Sequence, residues 1–208
     1  MKIPFLNTKI LKNINILRLG SLLRGKAMND QQKMEYDIDG VAVIDRYISE
    51  NKADDLKKSI MLGMDIEGNS RDKIVEADSV GMKRRFKDKV LDALQLIGHC
   101  PEIFETYEDV KNTCCEITDK VVVQSPFGKS AITAKLYEGK GAEHGWHCES
   151  NGISGILYLT DNMDGQLEYK NSNDNIVGIK AKKGRIVILR GQDVWHRVVP
   201  MKTDDQRV

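Results

Sequence analysis

The spacing of apolar residues changes midway along the chain, from a helical period to the short runs that are typical of β-strands. In the first half, apolar side chains recur every three or four positions, which predicts helices over 50–62, 82–99 and 101–114. Ser49 stands where the N-cap of the first helix is expected. The segment 63–82 is rich in glycine and charged residues, so we predict a loop there.

The second half contains eight short runs of β-branched and apolar residues, separated by glycine, asparagine and aspartate, and these runs predict strands. They cover residues 119–127, 130–138, 146–150, 154–161, 165–171, 175–184, 185–191 and 195–200. Another strand is predicted over 40–49, ahead of the helices. Helices followed by many short strands predict an α+β chain with a mostly β core. The expected form is a compact antiparallel barrel or jelly roll with N-terminal supporting helices.

The first 27 residues differ from the rest because they contain six lysines and arginines and no acidic residue. Their apolar residues follow roughly a helical spacing, so a basic amphipathic helix is predicted for residues 1–27. Such a helix can lie on an anionic membrane surface, and it can equally dock on its own domain or on a partner protein. No apolar run there is long enough to span a bilayer, and no secretory signal pattern is present. Residues 28–35 are polar and are interpreted as a linker to a domain at 36–208.

Composition narrows the possible partners and the compartment. The 208 residues carry 32 lysines and arginines against 31 acidic residues, so the net charge of +1 gives no reason to expect a nucleic-acid partner. The cysteines show no CxxC spacing, which disfavours a zinc ribbon or a disulfide scaffold and fits a reducing compartment. These cysteines are Cys100, Cys114, Cys115 and Cys148. The predicted location is cytoplasmic, peripheral to a membrane if the basic segment binds one.

The stretch "HGWHCES" carries the first candidate metal ligands. On a strand, His147 and Glu149 are two positions apart and point to the same face, whereas Cys148 points away. An imidazole beside a carboxylate suits a metal ion, although such a triplet often arises by chance. His144 is three positions before His147 and is expected on the opposite face unless Gly145 breaks the strand.

His196 strengthens this hypothesis, because it lies on a late predicted strand that can face residues 147–149 across a closed barrel. Two histidines and one carboxylate on one face of an octahedron form the arrangement of non-haem Fe(II) oxygenases, with three positions left open. Arg207 follows eleven residues later, where a jelly-roll strand would carry it deeper into the barrel. Its guanidinium could there bind a distant carboxylate in bidentate fashion, and the alternative is a surface arginine.

Taken in order, these motifs resemble the iron(II)/2-oxoglutarate-dependent dioxygenases and are most similar to their prolyl-4-hydroxylase-like branch. The resemblance covers residues 36–208. Its pieces are Tyr137, His147, Glu149, Leu157-Tyr158-Leu159, Gly165-Gln166-Leu167, Gly184-Arg185-Ile186, His196, Pro200 and Arg207. The chain departs from the family where Glu149 replaces the usual aspartate and where Gly165-Gln166 replaces a Gly-Gly turn.

The resemblance implies a role for each matched residue. His147, Glu149 and His196 would be the catalytic centre and bind Fe(II), and Arg207 would pair with the far carboxylate of 2-oxoglutarate. Tyr158 and Tyr137 would donate hydroxyl hydrogen bonds to the cosubstrate; the alternative is that both belong to the barrel core with satisfied hydroxyls. O₂ is the second cosubstrate, and ascorbate is a candidate reductant.

The implied activity is that of a dioxygenase that hydroxylates an unactivated C–H bond and releases succinate and CO₂. A peptidyl residue, a free amino acid or a small metabolite is the expected substrate. Two alternatives stay open from the sequence. One is a cupin-like metalloenzyme, although "HGWHCE" does not match the HxH spacing of that class. The other is a non-catalytic jelly-roll binding module with a residual metal site.

Overall fold

Four helices and eleven strands form the part of the chain that the structure, a computed structural model, describes: residues 29–76, 83–126 and 128–208. The helices are α1 (Asp30–Asp39), α2 (Glu50–Glu67), α3 (Ala93–His99) and α4 (Ile103–Thr118). The strands are β1 (Val41–Ile44), β2 (Asn69–Glu76), β3 (Lys83–Leu91), β4 (Ala134–Glu138), β5 (Glu143–His147), β6 (Ile153–Leu157), β7 (Leu167–Lys170), β8 (Ile176–Ile179), β9 (Ile186–Arg190), β10 (His196–Val198) and β11 (Gln206–Arg207).

The basic segment 1–27, with its predicted amphipathic helix and membrane contact, lies outside the described residues. Within those residues, no helix combines the length and the hydropathy that crossing a bilayer requires.

Two antiparallel sheets form the β part of the molecule. The smaller sheet has the strand order β1-β9-β6, and the larger one runs β11-β4-β3-β5-β10-β7-β8, with β2 paired to the other edge of β3. The larger sheet curls into a half-barrel, and this mostly β, antiparallel arrangement with helices added confirms the predicted jelly-roll class.

The helices begin where the sequence provides caps. The Ser49 hydroxyl accepts a hydrogen bond from the Lys52 backbone N–H, which confirms the predicted start of α2. The Asp92 carboxylate accepts from two backbone N–H groups at the start of α3. Helices α2 and α3 pack together and bury Leu56 and Leu96 in the same apolar cluster as strands β1 and β9.

Strand β9 is the centre of the small sheet and is buried on both faces. Ile186 and Ile188 join the apolar cluster that includes the helices, whereas Val187 and Leu189 join a second cluster inside the barrel. Because side chains alternate along a strand, an unbroken apolar run such as residues 186–189 can fill two cores at once. The helices therefore support one face of this strand and leave the other face to shape the barrel interior.

The helix predicted over 82–99 is wrong in its first half. Residues 83–91 form β3, which pairs along its length with β2, and only residues from Ala93 onward are helical. The run RFKDKVL also alternates with period two, and its pairing on both edges of β3 overrides the helical spacing. The loop predicted over 63–82 is likewise wrong where it is described, because α2 continues to Glu67 and β2 follows.

The other predicted elements differ less from those in the structure. Of the eight strands predicted after the midpoint, all but the first are present, and most are shorter than predicted. The exception is 119–127, where residues 121–126 form no strand. The strand predicted over 146–150 is instead displaced to Glu143–His147, which leaves Glu149 outside it. In the segment interpreted as a linker, residues 30–35 belong to α1, which starts at an Asn29 capping box that the polar composition concealed. The assignment of a separate domain at 36–208 stays a prediction.

One glycine in the turn before β9 supports a stability prediction. Gly184 has φ +75°, and a Cβ there would lie 2.4 Å from the carbonyl oxygen of Ile48. We expect Gly184→Ala to lower the free energy of unfolding by about 1–3 kcal/mol, because the new methyl group forces both strain and a clash. A lower urea midpoint with an unchanged m-value would show it.

The matched control is Gly98→Ala in α3, where a Cβ has no neighbour within 4 Å. Alanine is the better helix former, so this change is expected to leave stability unchanged or raise it by up to about 1 kcal/mol. Equal midpoints for the two variants would contradict the role assigned to the Gly184 turn.

Candidate metal centre

Two histidines meet on neighbouring strands. Strands β5 and β10 pair antiparallel with His147 directly opposite His196, and the two ring centroids are 4.2 Å apart. Both side chains are buried, at 5% and 2% exposure. The expectation that the two strands face each other across the barrel is wrong. They are adjacent, and the close cross-strand pairing brings the two imidazoles together.

Glu149 supplies the third candidate ligand, just past the end of β5. Its backbone N–H donates to the carbonyl of Gly191 at 2.8 Å, which anchors the chain beyond His147. Its Oε1 atom lies 3.4 Å from Nε2 of His147 and 3.6 Å from Nε2 of His196. Ligand atoms about 2.1 Å from an octahedral ion are about 3 Å apart, so these spacings suit one shared ion.

The Nδ1 atoms of both histidines are held by hydrogen bonds to backbone carbonyls. Nδ1 of His147 donates to the Gly145 carbonyl at 2.8 Å, and Nδ1 of His196 donates to the Val194 carbonyl at 2.9 Å. A carbonyl can only accept, so Nδ1 carries the proton and the Nε2 lone pair faces the third ligand. Nε2 of His147 is buried and has no aligned hydrogen-bond partner among the described residues. These residues therefore fit a metal ion.

The charge states also suit a cation. Burial lowers the pKa of His147, so its imidazole is neutral at neutral pH. Contacts with the side chains of His147 and His196 hold the pKa of the Glu149 carboxyl well below its usual range, so it is ionised. A neutral imidazole and a carboxylate are the forms that coordinate a divalent metal, and no proton has to leave before binding.

Arg207 lies inside the barrel, and the alternative of a surface arginine is wrong. It is 3% exposed, and strand β11 pairs it with Tyr137 on β4. Its guanidinium donates to the Gly165 carbonyl and lies 3.4 Å from the Tyr158 hydroxyl, between the rings of Tyr158 and Tyr137. No carboxylate lies within 4 Å of it in the ranges that the structure describes. A buried cation without an anion is costly, which indicates space for an anionic ligand.

The two tyrosines have different surroundings. Tyr158 belongs to the apolar cluster inside the barrel, and its hydroxyl contacts Arg207. Tyr137 packs with Val198 and Met201, and no hydrogen bond of its hydroxyl is found within the described part of the chain. Burial raises the pKa of both phenols, so both stay protonated and can donate.

His144 does not point away from His147 as strict alternation predicts. The ladder shifts between β5 and β10, so that Val198 lies opposite His144 while His196 lies opposite His147. His144 and His147 are three residues apart on β5, whereas Val198 and His196 are two residues apart on β10. This irregularity is a β-bulge, and it places His144 on the same face of the sheet as His147. The two rings stack at 3.8 Å, yet His144 is outside the group of three side chains that could hold an ion.

One cavity of about 1120 Å³ joins these features. Its lining includes the three candidate metal ligands, both tyrosines and Arg207, so the predicted site residues face a common space. A volume of this order holds a small ligand together with a second molecule or a peptide segment.

The structure is similar to several solved oxygenases. A Pseudomonas putida prolyl-4-hydroxylase superposes with a TM-score of 0.62 at 15% identity, over 85% of this chain and 93% of that one. The alpha-ketoglutarate-dependent carbocyclase SnoK of nogalamycin biosynthesis gives 0.66 at 11% identity, over 88% and 82%. The epimerase SnoN, solved with Fe³⁺, alpha-ketoglutarate and nogalamycin RO, gives 0.63 at 11% identity, over 85% and 79%. No protein-family model and no curated protein matches the sequence.

The chain shares the fold of the 2-oxoglutarate-dependent oxygenases. The resemblance found in the sequence is thereby confirmed for the fold, including its likeness to a prolyl-4-hydroxylase. On this oxygenase fold, a His-Glu-His group that could hold a metal ion opens into the barrel cavity.

Sequence reasoning missed two basic residues of this oxygenase-like cavity. Lys135 lies on β4 two residues before Tyr137, and Arg84 lies on β3 two residues before Phe86; both line the cavity. The signal for Lys135 was its spacing from Tyr137, since positions i and i+2 share a face. Arg84 gave no usable signal, because its segment was interpreted as a helix.

Proposed function

We propose that this protein is an Fe(II)- and 2-oxoglutarate-dependent dioxygenase that hydroxylates an unactivated C–H bond. The observation that supports this most is the meeting of His147, Glu149 and His196 in one cavity with the buried cation of Arg207. The products would be succinate, CO₂ and the hydroxylated substrate, with one atom of O₂ in succinate and one in the alcohol. A peptidyl residue, an amino acid or a small metabolite is the proposed substrate.

Three side chains of this chain would hold the metal. His147 and His196 would bind through Nε2, since Nδ1 of each is held by a backbone carbonyl, and Glu149 would bind through its carboxylate. When bound, Fe(II) with a chelated keto acid supplies the activation of O₂. The chain's own contribution is to fix the three ligands on one side and leave the other side open to the cavity.

Arg207 would hold the far carboxylate of 2-oxoglutarate. Its guanidinium is already oriented by the Gly165 carbonyl and the Tyr158 hydroxyl, so little side-chain entropy is lost on binding. The protonated phenols of Tyr158 and Tyr137 would donate further hydrogen bonds to the same molecule.

The third ligand also bears on the type of oxidation. A carboxylate at position 149 occupies the coordination position that a halide would need, which favours hydroxylation over halogenation. Glutamate has one methylene more than the aspartate that the family usually carries. The hydrogen bond from the Glu149 backbone N–H to the Gly191 carbonyl anchors this residue, and its carboxylate still lies near both imidazoles, at 3.4 and 3.6 Å.

Turnover of 2-oxoglutarate to succinate without a second substrate tests the proposal before the substrate is identified. With Fe(II), ascorbate and O₂ supplied, we expect slow succinate release that Glu149→Gln lowers by about 100-fold or more. Loss of residues that only support a metal ligand already costs 10- to 100-fold. The matched control is Glu143→Gln, at the start of β5 and beside Arg85. No succinate release from the wild type would favour a non-catalytic binding module, and equal rates in the two variants would contradict the role of Glu149 as a metal ligand.

A further inference from the structure

The inner face of the large sheet carries an excess of positive charge. Strand register places Lys135 opposite Val90, and Val90 shares a face with Asp88, Phe86 and Arg84 at steps of two residues. His144, which lies opposite Phe86, is on this face too. Lys135, His144 and Arg84 therefore belong to one wall, and all three line the cavity of the candidate metal centre.

The acidic groups on this wall are already engaged. Asp88 is buried and accepts two hydrogen bonds from the Arg71 guanidinium, at 2.7 and 2.5 Å. Glu149 belongs to the candidate metal centre. Neither Lys135 nor Arg84 has a carboxylate within 4 Å among residues 29–76, 83–126 and 128–208. Nε of Arg84 is buried and lacks a hydrogen-bond partner there as well.

Binding of a metal ion and 2-oxoglutarate at the candidate metal centre would leave Lys135 and Arg84 without a counter-ion. The 2-oxoglutarate dianion neutralises the combined formal charge of a divalent metal ion, the Glu149 carboxylate and the Arg207 guanidinium. Lys135 and Arg84 stay uncompensated in the remaining space. A buried or half-buried ammonium without a counter-ion is unfavourable, and burial lowers the pKa of Lys135 accordingly.

The contact between Lys135 and His144 leaves a second donor free. Nζ of Lys135 lies 3.5 Å from Nδ1 of His144. In its ammonium form Lys135 can only donate, so Nδ1 of His144 then accepts and the ring proton sits on Nε2. That Nε2–H group is buried in a side chain that is 5% exposed, and it has no partner in the described part of the chain. An ammonium and an imidazole N–H next to each other in a cavity are suited to an oxyanion.

We propose that Lys135 and His144 form a subsite for an anionic group of the primary substrate, a carboxylate or a phosphate on a small molecule. The proposal rests on the function proposed above, because it assigns the substrate class of that same centre. Arg84, on the same wall and stacked over Phe86 at 5.2 Å, adds a positive potential that attracts the anion to the cavity. The subsite would orient the substrate by its charge and so place a neighbouring carbon towards the candidate metal centre.

The test uses small anions, since the substrate is unidentified. The full chain is loaded with Zn(II), which is redox-inactive, and with saturating 2-oxoglutarate, so that Arg207 is occupied. Acetate, inorganic phosphate and the neutral isostere acetamide are then titrated while the imidazole N–H signal of His144 is followed by NMR. The chain has four histidines, so the imidazole region is simple to assign.

We expect acetate or phosphate, but not acetamide, to shift the His144 signal in a saturable way. Lys135→Met should weaken this binding by about tenfold or more, because it removes a charge-assisted hydrogen bond and keeps the apolar stem. The control Lys140→Met changes an exposed lysine on the loop after β4 and should have no effect. A response to acetate alone or to phosphate alone identifies the group that the substrate carries.

Several results would overturn the proposal. They are equal binding of acetate and acetamide, no saturable shift with either anion, or a Lys135→Met variant that binds anions as the wild type does. A loss of 2-oxoglutarate affinity in Lys135→Met as large as that for acetate would assign the lysine to the cosubstrate instead. A wild-type chain that fails to bind 2-oxoglutarate contradicts the proposed function. The same titrations with zinc alone then still decide the role of Lys135.

Discussion

Replacing His196 with alanine is expected to weaken Fe(II) binding by at least about 100-fold. The variant loses one of three protein ligands, and loss of groups that merely orient a ligand already costs 10- to 100-fold. His196 is 2% exposed, and the hydrogen bond from its Nδ1 to the Val194 carbonyl orients its Nε2 for the metal. Anaerobic competition with a metal chelator of known affinity measures the change directly.

A histidine elsewhere provides the control for this prediction. His99, at the end of α3, contacts Glu67 at 2.5 Å and lies outside the cavity. His99→Ala is expected to keep the Fe(II) affinity of the wild type. If His196→Ala, with an unchanged circular dichroism spectrum, bound Fe(II) as tightly as His99→Ala, the metal centre would have to lie elsewhere.

Replacing Arg207 with methionine is expected to raise the Kd of 2-oxoglutarate by about 100-fold while Fe(II) affinity stays unchanged. Truncating one partner of a buried, hydrogen-bonded charge pair typically costs 2–5 kcal/mol, and about 2.7 kcal/mol corresponds to 100-fold. Methionine keeps the volume between the rings of Tyr137 and Tyr158 and removes only the charge and the donors. Anaerobic calorimetric titration of the metal-loaded variant gives both affinities.

Arg197 is the matched control for Arg207. It lies beside His196 on β10, but its guanidinium pairs with Glu168 at 2.6 Å and stacks over Trp146. Arg197→Met is therefore expected to leave 2-oxoglutarate binding unchanged. Similar losses in both arginine variants would mean that net charge, and not the position of Arg207, governs the affinity.

Stability in the absence of ligands offers a second readout of Arg207. A buried guanidinium without a counter-ion destabilises the folded state, so Arg207→Met should not lower the unfolding midpoint of the ligand-free chain and can raise it. An arginine that served only the packing of β11 would behave in the opposite way, since its loss would weaken the barrel.

The strands that build the candidate site could be predicted from the sequence because their patterns are local. Residues 185–191 form an unbroken apolar run bounded by turn residues, and residues 195–200 place a histidine within a β-branched run. The two-residue spacing of His147 and Glu149 likewise gave a shared direction without any knowledge of the fold. Ordered motifs then joined distant residues such as His196 and Arg207 into one site.

The features that were missed depend on pairing across the sheet. Residues 83–91 satisfy both a helical and an alternating pattern, and only the partners β2, β4 and β5 decide between them. The position of His144 depends on a bulge opposite Val198, which a single strand does not reveal. Lys135 was overlooked because a lysine on a strand is normally assumed to face solvent.

The most direct test of the central claim is an anaerobic titration of the metal-free protein with Fe(II) and then with 2-oxoglutarate. A keto acid chelated to Fe(II) gives a weak visible charge-transfer band. We expect this band to grow to saturation at one equivalent in the wild type and to be absent from His147→Ala and His196→Ala. No band in a well-folded wild type, or an unchanged band in either variant, would contradict the assignment of this centre as a 2-oxoglutarate-dependent oxygenase.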